Sequence, residues 1–359
     1  MNAHHPATWA MGIFGGTKLQ TYLGVDIGAG GIKVVELANE KGRARLVTYG
    51  FAERLPEQIG PSPLDQPQET AALIKKIIAK AKCSSKRAIT GIPVSNVFSS
   101  VLSLNVPVTK KKELDAAIKL QAKKITPRPL EEMVLDYKII EEGPKTTKVL
   151  LTAAEAVMVR KYVEIFKLAG LELISLETEP LALIRSLIGR DLSTIVLVDI
   201  GAVRTSISVI EKGVPAVSRS IDVGGLSFTR AIAAQMQMPL PAAEQMKHDI
   251  GSLGGMLPEQ GLPKVMEQLI ATIVNELRYV FTLYTSQQGW SGKIEKLVLT
   301  GGGAPFPRLA ETIGSALGFK TYVGDPWARV VYPEEVRPFL DEVGPRFSVA
   351  IGLGMRDIE

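Results

Sequence analysis

The chain has 359 residues, 46% hydrophobic and 22% charged, which at roughly 150 residues per domain is about two domains with ample core. One cysteine (Cys83) and three histidines exclude a disulfide framework, a cysteine-built metal site and histidine-rich catalysis, and fit a reducing compartment such as the cytoplasm. The net charge of +5 is spread over short clusters such as Lys75-Lys76, Lys110-Lys111-Lys112 and Lys123-Lys124; without interleaved aromatics these read as solvated helix faces rather than a nucleic-acid stripe, leaving open a charge-steered acidic partner or anionic membrane surface.

In chain order, residues 1–18 form a tail. Its apolar run, Ala7 to Phe14, has no basic residue ahead of it and makes a poor signal peptide. It reads as a loose tail or an interfacial foot. No stretch approaches the roughly 20 apolar residues of a membrane-spanning helix.

The strongest signal is an internal repeat. Tyr22-Leu23-Gly24-Val25-Asp26-Ile27-Gly28-Ala29 aligns with Ile195-Val196-Leu197-Val198-Asp199-Ile200-Gly201-Ala202. Each apolar run ends in Asp-Ile-Gly-Ala, and an alternating strand follows (Ile32 to Leu37, Thr205 to Ile210). Each copy then turns at Lys-Gly (Lys41-Gly42, Lys212-Gly213) into a third strand, Arg45 to Phe51 or Val214 to Ile221. Strand, turn, strand, turn, strand is written twice, with helical patterns after it at Glu69 to Lys82 and Leu226 to Met236. Two α/β halves should therefore pack around a cleft.

The chemistry of the repeat is specific. A strand delivers an aspartate to its end, and glycine lets the chain reverse beside it. Free amides in such a turn make a concave anion site. A carboxylate beside phosphates needs a divalent cation between them, so Asp26 and Asp199 point to a hydrated magnesium. A third element, the strand Ile294 to Leu299, ends in Thr300-Gly301-Gly302-Gly303-Ala304 ahead of a helical run, Phe306 to Leu317. Its glycines allow a flat ligand group close to the main chain.

Between the halves, residues 87–167 carry their own pattern. Strands are expected at Ala88 to Pro93, Val97 to Leu104, Met133 to Ile140 and Lys148 to Ala153, with helices at Lys111 to Lys124 and Ala156 to Ala169. Thr126-Pro127-Arg128-Pro129 stops the first helix. Further on, Pro263 to Gln287 reads as an amphipathic helix whose stripe of Leu269, Ile273, Leu277, Val280, Phe281 and Tyr284 belongs to the core.

These motifs resemble the phosphate and adenosine loops of the actin/Hsp70/hexokinase ATPase superfamily. The chain is more specifically similar to the PilM family, the actin-like cytoplasmic component of type IV pilus assembly, from about Tyr22 to Met355. Ala122-Lys123-Lys124-Ile125-Thr126-Pro127, Glu179-Pro180-Leu181-Ala182-Leu183, Ile221-Asp222-Val223-Gly224-Gly225 and Ala243-Glu244-Gln245-Met246-Lys247 carry that likeness. It implies an α/β, actin-like (ribonuclease H-like) ATPase fold, with two duplicated halves around a nucleotide cleft and an FtsA-type α+β insert domain. The first half would comprise 19–86, 168–192 and 326–359, and the insert 87–167. The second core would be 193–225 with 294–325, carrying a helical subdomain, 226–293.

The resemblance also implies an ATP site with magnesium. Gly28, Ala29, Gly30 and Gly31 would offer main-chain donors to the phosphates, with Lys33 as a point charge. Asp26 and Asp199 would hold the metal through waters. Gly201 belongs to the second phosphate loop, Gly224 and Gly225 open the helix approaching phosphate and ribose, and Gly301, Gly302 and Gly303 line the nucleoside. Glu244 and Lys247, three apart on one helix face, fall at the ribose and adenine; without the ligand they read as an exposed ion pair. Hydrolysis, at most slow, would use a water-orienting carboxylate from the crossover between halves, Glu177, with Glu179 as the neighbouring choice. The first loop departs from the family's serines: Ala29, Gly30 and Gly31 have no hydroxyls, so binding is expected more firmly than turnover.

The implied role is a nucleotide-dependent scaffold at the cytoplasmic face of the inner membrane. It would dock the cytoplasmic amino-terminal peptide of a PilN-like membrane protein in a groove beside the insert, and meet other pilus assembly proteins or further copies of itself. Two other classes compete. A hexokinase-like small-molecule kinase needs a carboxylate base and a polar sugar pocket that the insert does not display. An FtsA-like division protein would want a basic amphipathic carboxyl-terminal helix, where this chain reads Asp357-Ile358-Glu359.

Overall fold

The computed structural model describes residues 20–252, 264–286 and 292–358. The expected tail with its apolar run, and the end residues Pro263 and Gln287 of the long expected helix, lie outside the described residues.

The repeat becomes two sheets with the same internal order. In the first half, β1 (Thr21–Gly28), β2 (Gly31–Glu40) and β3 (Arg43–Glu53) form an antiparallel meander. After α1 (Pro67–Lys80), β4 (Arg87–Ile92) joins β1 in parallel. The insert supplies β5 (Val97–Leu104), α2 (Lys111–Ile125), β6 (Met133–Glu142) and β7 (Thr147–Glu155), a three-stranded sheet of order β5-β7-β6 closed by α2. The chain then returns through α3 (Ala156–Ala169) to β8 (Glu172–Thr178), parallel to β4.

A crossover, α4 (Glu179–Leu183) and a π-helical turn at Ile184–Ile188, leads to the second half. There β9 (Thr194–Ile200), β10 (Thr205–Glu211) and β11 (Val214–Ile221) repeat the meander. Three helices follow, α5 (Gly225–Met236), α6 (Leu240–Ser252) and α7 (Lys264–Ser286). Then β12 (Ile294–Thr300) pairs with β9 in parallel, and α8 (Leu309–Leu317) leads to β13 (Lys320–Val323). The end of the chain returns to the first half: β14 (Val330–Val331) pairs with β3, and α9 (Arg337–Val343) precedes α10 (Ser348–Gly354), which packs on β1.

The finished sheets read β14-β3-β2-β1-β4-β8 and β11-β10-β9-β12-β13. The Lys-Gly turns match too: Lys41 and Gly42 sit at φ 55° and 80°, Lys212 and Gly213 at 52° and 74°, the left-handed pair a two-residue hairpin requires.

One boundary moves. The insert expected from residue 87 starts after β4, because that strand is hydrogen-bonded between β1 and β8 inside the first sheet. At the other end α3 also belongs to the first half. Its Tyr162, Ile165 and Phe166 share a core with Ile74 and Ile77 of α1. The apolar run of β4 fits a strand buried on both faces, and sequence alone could not say in which sheet.

Strand alternation sets the layers. Leu23, Val25 and Ile27 face α1 and α3, whereas Tyr22 faces a central core shared with Ile195, Leu197, Leu183 and Leu353. In the second half Val196, Val198 and Ile200 face α5 and α7, and Ile195 and Leu197 face that central core. Along the long helix α7, Ile273, Leu277, Val280 and Tyr284 are buried, with Leu269 and Phe281 partly so, which makes the stripe core.

Candidate functional site

With a side-chain period of two, Asp26 lies on the same face of β1 as Tyr22, and Asp199 on the same face of β9 as Ile195 and Leu197. Both carboxylates therefore emerge on inner faces, near the carboxyl ends of their strands, where the two halves meet. The hairpin tips touch: a Cβ at Gly30 would stand 2.7 Å from the Cβ of Ala202. The third loop covers Asp199. Thr300 pairs with it in parallel register, and Gly301, at φ 85°, runs so close that a Cβ there would lie 2.3 Å from Asp199 Oδ1. A glycine is required at 301 on both counts.

The aspartates are not equivalent. Opposite Asp26 in the ladder stands Lys33, whose Nζ is 3.5 Å from Asp26 Oδ2. Opposite Asp199 stands Ser206, which carries no charge. Asp199 is held up at about 6 by burial and then by the charge of Asp26, with Lys33 only partly offsetting them. A third acid joins them. Glu179 is pushed well above the ordinary carboxylate range by burial, then by Asp199 and Asp26, against the Val94 amide and Lys33. Three acids and one lysine thus sense one another at the floor of the cleft. Among the described residues no three His, Cys, Asp or Glu side chains converge tightly enough to ligate one ion directly. An ion here would keep much of its water, as magnesium does.

The expected catalytic residue Glu177 is displaced by this geometry. Its carboxylate is bound by Arg185 and, at 2.7 Å, by Arg356 Nε, so it is committed to an ion-pair cluster. Glu179, two residues on at the start of α4, faces the aspartates instead. The change from strand to helix at Thr178–Glu179 breaks the alternation that would have put both on one face.

The glycine loops divide by how their amides are used. Gly28 and Gly31 close the first ladder around the two-residue tip Ala29-Gly30. In the second half the Gly201 amide donates to Arg204 O at 2.8 Å and the Gly225 amide to Gly201 O at 2.9 Å. The Gly301 amide donates to Pro345 O at 3.1 Å and that of Gly303 to Ile200 O at 2.9 Å. These four serve close approach of backbone to backbone. Gly224 packs beside Gly201 and Arg204, and Gly302 is exposed.

Glu244 and Lys247 come together as their spacing requires, but not as a free surface pair. Lys247 Nζ is 2.7 Å from Glu244 Oε2, 2.9 Å from Thr229 Oγ1 and 3.3 Å from Gly225 O. His248 Nε2 lies 3.2 Å from the other oxygen of Glu244. Burial alone would raise the Glu244 carboxyl; the hydrogen bond from His248, the charge and hydrogen bond of Lys247, and Thr229 overcome it and hold it at about 2. The network therefore sits at the first turn of α5, beside the second hairpin.

Two contacts across the cleft had no clear sequence signal. Arg204, in the second hairpin loop, donates from Nε to Asp222 at 2.8 Å and from Nη1 to Ser95 Oγ at 2.6 Å, where the chain enters the insert. Thr300 Oγ1 meets Ser348 Oγ at 2.6 Å, fastening β12 to α10.

Two aspartate-tipped hairpins on equivalent strands of two like-ordered sheets define an actin-like ATPase fold. MreB 5 of Spiroplasma citri, solved bound to AMPPNP, is similar over 94% of this chain and 95% of its own, at 14% identity and a TM-score of 0.52. The family model for type IV pilus assembly protein PilM matches residues 24–358, and the chain belongs to that family. A solved PilM-PilN type IV pilus biogenesis complex contains a chain similar over 94% of this one and 98% of its own, at 26% identity and a TM-score of 0.79. Cell division protein FtsA of Neisseria meningitidis serogroup B is 24% identical over 293 residues, which is 74% of this chain. The match spans 66% of that protein, just under two thirds of its length.

Proposed function

We propose that this PilM-family chain binds ATP with magnesium in the cleft between its halves, and that nucleotide state sets its affinity for a PilN-like partner. The observation that carries the reading is the close pair of acids at the cleft floor, in which Asp199 is held up at about 6 by burial and by the charge of Asp26, with the single lysine Lys33 only partly offsetting them. Like charges gathered where two glycine-rich loops meet cost stability, and a divalent cation held between them would offset that cost. The residues present fit such a group. Asp26 and Asp199 would hold magnesium through waters, Lys33 would face the phosphates, and the tip Ala29-Gly30 with Gly28 and Gly31 would offer amides. Gly201, Gly224 and Gly225 would admit the phosphate and ribose beside Glu244 and Lys247, with Gly301, Gly302 and Gly303 along the nucleoside. The bound metal would supply the positive charge that the acids lack and that the phosphates also require.

Glu179, which faces the two aspartates, would orient a water. With no hydroxyls in the first loop, the chain is read as a nucleotide-dependent scaffold with at most slow hydrolysis. Its partner would be the cytoplasmic amino-terminal peptide of a PilN-like protein seated beside the insert, holding this chain at the inner membrane. Among the described residues no helix is long and apolar enough to cross a membrane, so attachment through partners fits. Titration of a fluorescent ATP analogue with magnesium tests the site: Asp26→Ala should abolish binding, and unchanged affinity would refute it. Pulldown with the PilN-like peptide, with and without ATP, tests the partner, and no retention in either condition removes it.

A further inference from the structure

Each of the three sheets ends in two edge strands, and β6 of the insert is the longest of these among the described residues, at 10 residues. The insert's other edge strand, β5, is turned toward the second half: Ser99 and Ser100 line one side of a gap of about 240 Å³, and Ala216 and Ser218 of β11 line the other. By contrast β6 pairs with β7 along one side, and among the described residues no strand meets its other side. The Tyr137 amide takes the Asp136 carboxylate of its own strand as acceptor, with Oδ1 at 2.9 Å, a local substitute for a strand partner. A free edge of this length is a template for another strand.

The order of side chains says which strand. From Leu135 to Ile139 the sequence is Leu-Asp-Tyr-Lys-Ile, and read backwards it has the same chemistry with the two charges exchanged. Two copies laid antiparallel about a two-fold axis at Tyr137 would set Asp136 opposite Lys138 twice, Leu135 opposite Ile139 twice, and Tyr137 opposite itself. Directly opposed residues share a face and touch. The charged pairs would fall on the face where Asp136 and Lys138 are exposed and where, among the described residues, neither is in an ion pair. The apolar pairs would fall on the α2 side, where Leu135, Tyr137 and Ile139 are only partly buried. We propose that the free edge of β6 docks a second copy of this chain, joining two three-stranded insert sheets into one continuous sheet. A slip of two residues, the smallest that keeps each side chain on its face, sets Asp136 against Asp136 or Lys138 against Lys138, so charge selects a single register. Edge charges ordinarily guard against pairing, and a partner of another kind would have to reproduce this alternation to pass the guard. The bulge that leaves Ile140 out of the β7 ladder bends the strand and ends the regular run, which confines the new ladder to Leu135–Ile139. An interface of that size is weak and reversible. The inference does not depend on nucleotide binding.

The test is sedimentation velocity of the full chain without nucleotide, at about 5 to 200 µM, the range suited to a small interface. A monomer–dimer equilibrium is expected. Asp136→Lys alone or Lys138→Asp alone sets like charges opposite each other twice and should weaken the dimer about tenfold. An equimolar mixture of the two single variants regains both opposite-charge pairs and should dimerise as the parent does. So should the exchanged chain, Asp136→Lys/Lys138→Asp. Unfolding midpoints should stay at the parent's value, because the substituted side chains are exposed. A parent chain that stays monomeric across the range, a dimer indifferent to either charge reversal, or single variants whose mixture stays monomeric would overturn the proposal.

Discussion

The two halves are the same motif under different charge and packing. Ladder position, turn geometry and strand order coincide, yet Asp26 faces Lys33 and Asp199 faces Ser206. One copy carries its own counter-charge and the other does not. A further difference lies two residues before each aspartate, where Gly24 in β1 matches Leu197 in β9. At Gly24, α10 lies so close that a Cβ would stand 1.9 Å from the Ala350 carbonyl oxygen, whereas Leu197 fills the central core. Duplication thus supplied two equal scaffolds. The side chains around them made one half a tightly seated support and the other the place where charge is left unbalanced.

That contrast can be broken most severely by making the copies identical. Gly24→Leu should drive α10 off β1 and cost about 3 kcal/mol or more, read as a lowered urea midpoint or loss of soluble protein. Next comes the charge itself. Asp199→Asn should weaken magnesium-dependent nucleotide binding by about 100-fold, roughly 2.7 kcal/mol, while raising the unfolding temperature of the nucleotide-free chain. Isothermal titration and thermal melts read the two effects separately, and a melt that falls instead would show that Asp199 is already neutralised.

The pH dependence sharpens the same point. Asp199 is held at about 6 in the fold, above its unfolded value of about 3.9. Its favourable contribution is therefore fully present below pH 4 and is lost as pH rises through 6, by up to about 3 kcal/mol. The stability difference between parent and Asp199→Asn, followed from pH 4 to 8 in denaturant, should widen in favour of the variant over that window. Ser206→Lys should supply the missing cation and stabilise the nucleotide-free chain at pH 7 by about 1 kcal/mol, with a flatter pH profile. The smallest effect belongs to Arg204→Ala. Its contacts with Asp222 and Ser95 are exposed and should be worth about 0.5 kcal/mol in an unfolding titration.

Much of this was readable before any coordinate. The repeated Asp-Ile-Gly-Ala and Lys-Gly turns encode local geometry, and local geometry depends on residues adjacent in the chain. Helix ends such as Ala156 to Ala169, and the buried stripe of α7, followed from period alone. Sequence put Glu177 ahead of Glu179, and the switch from strand to helix between them turns Glu179 toward Asp199 instead. Arg204 with Ser95, and Thr300 with Ser348, join residues 109 and 48 apart in sequence and left no periodic trace.

The sequence by itself determined the two hairpins, their aspartates and the elements that follow, since each rests on hydrophobic period and turn chemistry over a few residues. Only the tertiary structure decided that β4 lies between β1 and β8, that Glu244 and Lys247 are bound to Thr229 rather than to solvent, and that Asp199 lacks the cation Asp26 has. Those outcomes depend on which surfaces pack together and on charge carried through a buried cleft, which are properties of distance in space.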